Sequence, residues 1–252
     1  MTMAEIKEVL FDWDGTVANT EPISLTVTRK VLSDYANSIF GKPMTAEIDA
    51  LDMRGKDFGQ IAKQFEKAVN AGLPENSRVT LDIEDLRINK LRPLTKEALL
   101  DAELAKGIGS AWAELQDDMG LGVAIVSNSP RLRIQPLLEK HDFTTRIPAP
   151  RLFSAFEDVA KLKEDPAIYL LAAQKLGITP DEAAAVEDSA TGMRAAKSAG
   201  IGLRVGFTGL TEHENAPALK QVLLDEGAHI VIDDMRQLPQ AIRAYKAGSL
   251  KA

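Results

Sequence analysis

The sequence predicts an α/β fold in which a doubly wound parallel sheet carries an inserted all-helical domain. Short apolar runs of strand length recur along the chain, and helical patterns separate them beyond residue 107. Such alternation predicts a parallel sheet covered by helices on both faces. Between residues 20 and 106, helical patterns occur without a strand pattern, and they are too many for a single crossover connection. We therefore expect a core domain of residues 1–18 and 106–252 and a helical domain of residues 19–105.

The expected elements follow from apolar periodicity and from the positions of proline and glycine. In the helical domain, Thr20 and Pro22 suit the start of a first helix, and Pro93 is expected to divide the third. The other helices of this domain are expected at 58–69 and 82–106. In the core we expect strands at 6–11, 122–126, 152–156, 184–186, 202–205 and 229–232, and helices at 108–119, 132–141, 166–176, 192–199 and 238–245.

Composition limits the partners that the protein can have. The net charge of −7 argues against a nucleic-acid partner, because binding to a phosphate backbone depends on basic patches, but it permits a small anionic substrate. The chain has no cysteine, which excludes disulfides and thiolate metal sites. No apolar run approaches membrane-spanning length, and the first residues do not resemble a signal peptide. We expect a cytoplasmic protein without a membrane partner, and the sequence does not indicate its oligomeric state.

The first strand ends in two carboxylates, Asp12 and Asp14, followed by a turn at Gly15 and Thr16. Residues spaced i, i+2 in a strand share a face, and ligands of such sheets bind beyond the carboxyl ends of the strands. Two crowded carboxylates repel unless a cation lies between them or one carries a proton. A cation site is therefore one interpretation, and an ordinary acidic turn is the other.

Two later strands also end in polar residues. Ser127 and Asn128 follow the strand at 122–126, where a hydroxyl and backbone N–H groups can donate to a phosphate, although a simple helix cap is the alternative. Glu187 and Asp188 follow the strand at 184–186, and Ser189 is placed to cap the next helix. The histidines are too far apart in sequence to indicate a zinc site.

These segments resemble, in order, the motifs of the haloacid dehalogenase (HAD) superfamily of phosphohydrolases. Residues 12–17 match the first motif, DxDGT(L/V), and Ser127 at a strand end matches the second. Residues 185–196 match the fourth, EDSxxGxxAA. The resemblance spans nearly the whole chain. It implies a HAD-like Rossmannoid core with a helical cap domain that closes over the site.

The third motif of that superfamily, KPxPDxY, resembles the segment from Lys161 to Tyr169. The resemblance places Lys163 on the motif lysine and Tyr169 on its aromatic residue. The sequence departs from the motif at Glu164 and Ala167, where the family commonly has Pro and Asp. Lys161 therefore remains an alternative to Lys163 as the phosphate-binding lysine.

The resemblance implies a role for each matched residue. Asp12 is implied as the nucleophile that forms an aspartyl-phosphate, and Asp14 as the general acid and base. Mg²⁺ is the implied cofactor, because hard oxygen ligands suit it. Its implied ligands are Asp12, the backbone carbonyl of Asp14, Asp188 and, through water, Glu187. The implied phosphate-binding residues are Gly15, Thr16, Ser127, Asn128 and Lys163.

The implied activity is a Mg²⁺-dependent phosphatase acting on a small phosphorylated metabolite of the sugar phosphate or phosphoglycolate type. A β-phosphoglucomutase-like phosphomutase shares all four motifs and remains an alternative, and a non-catalytic binding protein of the same fold is another. Asp14 argues against a dehalogenase, which lacks this second aspartate. In the helical domain, Arg54 and Lys56 lie on a predicted loop that resembles a specificity loop, although a solvated basic loop is equally expected.

Overall fold

The computed structural model describes residues 4–53, 56–159, 161, 163 and 165–250. The chain divides into two compact units, a core unit of Met1–Thr20 and Ala102–Ala252 and a helical unit of Glu21–Asp101. These bounds differ from the boundaries expected from the sequence by a few residues at each crossing. Backbone hydrogen bonds give the reason, because the N–H of Asn19 donates to the carbonyl of Glu103 at 2.8 Å and keeps both connecting segments in the core unit.

The core unit contains a six-stranded sheet in which all strand pairs are parallel, in the order β3-β2-β1-β4-β5-β6. This arrangement confirms the predicted doubly wound architecture. The order reverses at β1, so that β2 and β4 flank the first strand on its two sides. The strands are β1 Glu8–Phe11, β2 Gly122–Ser127, β3 Leu152–Ser154, β4 Ala183–Glu187, β5 Leu203–Phe207 and β6 Ile230–Ile232.

The helices of both units are α1 Glu21–Phe40, α2 Thr45–Asp49, α3 Phe58–Val69, α4 Ile83–Asp85, α5 Arg92–Ala98, α6 Ile108–Ala113, α7 Arg131–Lys140, α8 Ala167–Leu176, α9 Ala190–Ser198, α10 Ala216–Asp225 and α11 Leu238–Lys246. Wider π-helical turns occupy Leu86–Leu91, Glu114–Asp118 and Ala155–Val159. Short 3₁₀ turns occupy Glu75–Ser77, Leu99–Asp101, Ala149–Arg151, Pro180–Glu182 and Met235–Gln237. Among these helices none is both long enough and apolar enough to cross a bilayer.

The central strands are buried on both faces, as their continuous apolar sequences require. Leu10 of β1, Ala124 of β2 and Ala185 of β4 are fully buried in one cluster with residues of α8 and α9. Alanine predominates in β4, and its small side chains let α9 approach the sheet closely. This packing holds the carboxyl ends of three adjacent strands in a fixed arrangement.

The helical unit has its own apolar core. The stripe that predicts α3 is confirmed, since Ile61, Phe65 and Val69 are buried in a cluster with residues of α1 and α2. Asp57 caps α3, because its side chain accepts from the N–H of Gln60 at 3.0 Å while the Gln60 side chain accepts from the Asp57 N–H. Within the described part of the chain, the apolar cluster of the helical unit shares no residue with the cluster at the sheet.

Three expectations about the elements are wrong, and two helices have no counterpart in the prediction. Pro93 lies in the first turn of α5 and does not divide the helical run, because the preceding π-helical turn continues directly into α5. That run ends at Asp101 rather than at residue 106. Residues 155–156 belong to a π-helical turn instead of a strand. Helices α2 and α10 have no counterpart in the prediction; α2 is only five residues long, and of α10 only Leu223 is buried.

Candidate active site

The candidate site lies at the carboxyl ends of the three central strands. Asp12 follows β1, Ser127 ends β2 and Glu187 ends β4. The pairing of Phe11 with Ile125 on one side and with Val186 on the other brings these strand ends level with one another. Open sheets of this type bind ligands where the strand order reverses. Polar residues that are far apart in the sequence thus lie at one edge of the sheet, because their strands are parallel neighbours.

Three carboxylates form a buried acidic cluster at this edge. One oxygen from each of Asp12, Glu187 and Asp188 lies within 4.8 Å of the others. Burial raises the pKa of Asp12 to about 7, although the ammonium of Lys163 opposes this rise. Burial also raises the pKa of Asp188 well above its usual range, and the negative charges of Asp12 and Glu187 add to this effect. Nearby positive charge would stabilise the ionised forms of all three groups.

Lys163 supplies one positive charge inside the cluster. Its side chain is 2% exposed, and its Nζ donates to Asp12 Oδ1 at 2.5 Å and to Glu187 Oε1 at 2.8 Å. Burial alone would lower the pKa of this lysine, but the charges of Asp12 and Glu187 outweigh burial and raise the pKa. Lys161 is 62% exposed and pairs with Asp165 at 2.8 Å. The structure therefore places Lys163, and not Lys161, among the acidic residues.

The loop that presents Lys163 is attached to the end of β2. Asn128 Oδ1 accepts from the backbone N–H of Lys163 at 2.7 Å. The motif resemblance implies that Asn128 binds phosphate, but its side-chain oxygen holds this loop in the structure. Glu164, where the third motif departs from its pattern, lies outside the described residues.

Asp14 lies beside the cluster, half-buried, and its two carboxylate oxygens face different partners. Thr20 donates its hydroxyl to Oδ1, and Arg133 Nη2 lies 3.6 Å from the same oxygen. Ser129 Oγ donates to Oδ2 at 2.6 Å, and Ser127 Oγ lies 3.5 Å from that atom. These contacts orient both oxygens of the Asp14 carboxylate beside the cluster.

Thr20, Ser129 and Arg133 were not predicted as site residues. The sequence indicated Thr20 only as the cap of α1, yet its hydroxyl is turned toward Asp14. Arg133 lies in the first turn of α7, which starts directly beyond the end of β2. Its position in the sequence could have indicated Arg133 as a site residue, because the first turn of a helix that follows β2 lies near the carboxyl edge of the sheet.

Gly15 and Thr16 contact the acidic cluster. The backbone of Gly15 has a φ of +81°, and a Cβ at this position would overlap with the carboxylate of Asp188. Thr16 Oγ1 donates to Asp188 Oδ1 at 3.2 Å. The resemblance implies that both residues bind phosphate. In the structure both contact Asp188 and restrict the position of its carboxylate.

The cluster has the features of a site for a hard divalent cation. Its donors are carboxylate oxygens, which Mg²⁺ and Ca²⁺ prefer. Glu187 Oε2 is buried and has no hydrogen-bond partner among the residues that the structure describes. A buried oxygen of this kind is typical of a position that an ordered water or a bound ion satisfies. The residues present thus fit a divalent metal held with its water.

The predicted specificity residues belong to the helical unit. Arg54 lies outside the described residues. Lys56 forms an ion pair with Asp52, and its side chain is 31% exposed. Their role at the site stays a prediction.

A parallel sheet with buried carboxylates and a buried lysine at its carboxyl edge defines an α/β enzyme whose candidate active site lies at that edge. A model of the haloacid dehalogenase-like hydrolase family matches residues 6–200. The chain belongs to this family.

Similar proteins include enzymes with more specific names. The chain is 28% identical over 206 residues to the phosphorylated carbohydrates phosphatase of Thermotoga maritima, covering 78% of this chain and 82% of that protein. It is 26% identical over 200 residues to the beta-phosphoglucomutase of Bacillus subtilis, covering 78% and 81%. The crystal structure of a HAD family hydrolase from Deinococcus radiodurans, with bound phosphate and sodium, superposes with a TM-score of 0.68 at 25% identity, covering 98% of this chain and 99% of that one.

Proposed function

We propose that the protein is a Mg²⁺-dependent phosphatase that hydrolyses a small phosphorylated metabolite through an aspartyl-phosphate on Asp12. The observation that carries this proposal is the contact of Asp12 with the Lys163 ammonium inside a buried acidic cluster. A carboxylate beside a buried cation is suited to meet a phosphoryl group, because the cation offsets the repulsion between the two anions.

Asp12 attacks phosphorus, its carboxylate oxygen forms the new P–O bond, and the ester oxygen leaves. Lys163 and the hydroxyl of Ser127 stabilise the phosphoryl oxygens, where charge resides during the transfer. Mg²⁺ held by Asp12, the Asp14 carbonyl and Asp188, and through water by Glu187, would supply further positive charge at the phosphoryl group.

Asp14 protonates the leaving oxygen and then takes a proton from the water that hydrolyses the aspartyl-phosphate. Its position supports both steps, because it is more exposed than Asp12 and is oriented by Thr20 and Ser129. In this proposal the helical unit acts as a cap that excludes bulk water during the first step and contributes Arg54 and Lys56 to substrate selection.

A sugar phosphate is the substrate class that the relatives favour, because one of them is named a phosphatase of phosphorylated carbohydrates. A phosphomutase is the second candidate, since another relative is named a beta-phosphoglucomutase. Product analysis with hexose phosphates distinguishes the two. Inorganic phosphate as the main product supports the phosphatase, whereas an isomerised sugar phosphate with little free phosphate supports the mutase.

The proposed function is tested with a panel of sugar phosphates and phosphoglycolate. We expect phosphate release that requires added Mg²⁺ and stops with excess chelator, because Asp12, Asp14 and Asp188 would hold the metal. Asp12→Asn should abolish turnover with an unchanged circular dichroism spectrum, since an amide is a poor nucleophile of almost the same size. Full turnover in excess chelator, or a wild-type rate in Asp12→Asn, would contradict the proposal.

A further inference from the structure

The hydroxyl of Tyr169 is buried against the acidic cluster. Tyr169 lies in α8 with 0% exposure, and its hydroxyl donates to Glu187 Oε1. Lys163 Nζ donates to the same oxygen at 2.8 Å and lies 5.5 Å from the centroid of the Tyr169 ring. One phenol thus contacts both the acid that ends β4 and the lysine of the cluster.

Packing of the apolar core does not explain why this position carries a hydroxyl group. Burying a hydroxyl costs free energy unless it is hydrogen-bonded, and a phenylalanine would fill nearly the same volume without that cost. The phenol adds a donor without adding charge. Its partner in the structure is one oxygen of a fully buried carboxylate, so the hydroxyl specifies how that carboxylate is oriented.

The two oxygens of Glu187 have different surroundings. Oε1 accepts from Lys163 and Tyr169, whereas Oε2 is buried and has no hydrogen-bond partner among the described residues. Lys163 also donates to Asp12, and it needs a further N–H for a phosphoryl oxygen. A second, uncharged donor on Oε1 keeps Glu187 in place without depending on Lys163 alone.

We propose that Tyr169 is a positioning residue that fixes the Glu187 carboxylate and, through it, the geometry of the metal site and of Lys163. The inference rests on the proposed function, since it assigns Tyr169 to the same site. Residues that orient metal ligands from outside typically change metal affinity about 10–100-fold when they are altered.

The test compares Tyr169→Phe with Tyr245→Phe. Tyr245 is 3% exposed and donates its hydroxyl to the carbonyl of Gly202 at 3.0 Å, so the control also removes one buried phenol hydroxyl from the core unit. Mg²⁺ binding to metal-free protein is measured by isothermal titration calorimetry, and kcat and KM are measured with the best substrate of the panel. We expect a Mg²⁺ dissociation constant raised about tenfold in Tyr169→Phe, together with a raised KM, and neither change in Tyr245→Phe.

A Glu187→Ala background, which has no side-chain acceptor for the Tyr169 hydroxyl, shows whether Tyr169 acts through Glu187. There, adding Tyr169→Phe should change Mg²⁺ affinity less than about twofold, because the effects of residues in one network are not additive. Should Tyr169→Phe not fold, Tyr169→Met fills most of the same space without a donor and carries the same expectation.

Equal Mg²⁺ affinity in Tyr169→Phe and the wild type, with an active wild type, would overturn the inference and leave the proposed function standing. The same holds for an undiminished effect of Tyr169→Phe in the Glu187→Ala background. A wild-type protein that neither binds Mg²⁺ nor releases phosphate would overturn both.

Discussion

Asp14 is held on both carboxylate oxygens, and this makes it the residue whose replacement separates the two proposed chemical steps. Thr20 and Arg133 face Oδ1, while Ser129 and Ser127 face Oδ2. All of these side chains are hydroxyls or a guanidinium, which can hold the carboxylate in place without competing for the metal. The orientation of the proposed acid and base thus comes from residues that follow β1 and β2.

We predict that Asp14→Asn lowers kcat by about 10²–10⁴, as expected for the loss of a general acid and base. With an activated aryl phosphate the first step suffers less, because the leaving group needs little protonation. Phosphoenzyme then accumulates, and intact-protein mass spectrometry detects it as a mass increase. Asp225→Asn on the exposed face of α10 is the matched control and should behave as the wild type. An Asp14→Asn protein with normal kcat and no phosphoenzyme would contradict this assignment.

The roles of single residues were only partly predictable from sequence. Asp12 and Asp188 were predicted to follow strands, and the structure brings them together because neighbouring parallel strands end at the same edge of the sheet. Three partners of Asp14, namely Thr20, Ser129 and Arg133, were missed because their hydroxyl and guanidinium side chains follow no spacing rule. The sequence did not decide which of Lys161 and Lys163 lies at the site, because both fall near the motif position. Their exposure differs in the structure, since Lys161 is exposed and Lys163 is buried in the acidic cluster.

At the scale of elements, the turn after β1 is shaped by its contact with the residue that follows β4. Gly15 has a positive φ, and its Cα faces the carboxylate of Asp188 without room for a Cβ. Glycine is required there for two reasons, backbone conformation and close approach. The turn can therefore hold Asp188 only if the residue at this position has no side chain.

We predict that Gly15→Ala lowers kcat/KM at least about tenfold and weakens Mg²⁺ binding, because a displaced Asp188 no longer meets Asp12 correctly. Gly120→Ala is the control, since Gly120 also has a positive φ (+65°) but no atom within 4 Å of the position that a Cβ would occupy. Both variants should lose about 1–2 kcal/mol of folding stability from the backbone conformation alone. Chemical denaturation and Mg²⁺ titration check the two effects separately, and equal Mg²⁺ affinity in both variants would refute the steric role.

Most elements were predictable, and the exceptions share a physical cause. Buried strands give continuous apolar runs, so all six were located to within a few residues. Helix α10 was missed because it buries only Leu223 and exposes Val222 and Leu224. The prediction for Pro93 was wrong because proline breaks the interior of a regular α-helix, whereas Pro93 lies in the first turn of α5, directly after a π-helical turn.

At the scale of the whole molecule, a half-buried histidine beside the outer strands links folding to pH. His229 precedes β6, its Nδ1 accepts from the backbone N–H of Arg204 at 3.0 Å, and its Nε2 lies 2.9 Å from the Arg204 guanidinium. Burial lowers the pKa of His229 to about 4, and the positive charge of Arg204 contributes to this decrease. The ring of Tyr245 packs 6.2 Å away without adding a negative charge at neutral pH.

We predict that this histidine makes the protein less stable as the pH falls from about 6.5 to about 4. In this pH range His229 stays neutral in the folded state, whereas the unfolded chain binds a proton at this residue. The free energy of unfolding therefore decreases on acidification. Above about pH 6.5 the histidine is neutral in both states, and the effect vanishes. Partial exposure limits the loss to about 1–2 kcal/mol at pH 4.

The measurement is urea denaturation of metal-free protein between pH 4 and 8, compared with His229→Gln. The comparison is needed because the raised pKa of Asp12 gives the opposite slope over part of the same range. The difference between the two proteins should be flat above pH 7 and change steadily below it. A difference that is independent of pH would remove His229 from this role.

The central place of β1 in the sheet also governs the order in which a growing chain can complete its fold. β1 leaves the ribosome before both of its neighbours, since β2 is made only after the helical unit and β4 only after much of the core. Until β4 arrives, one edge of an apolar strand keeps unpaired N–H and C=O groups, which is the kind of edge that recruits other chains. One edge of β1 is thus unpaired throughout most of synthesis, and a nascent chain halted before residue 183 has an aggregation-prone strand and lacks two of the three carboxylates of the acidic cluster.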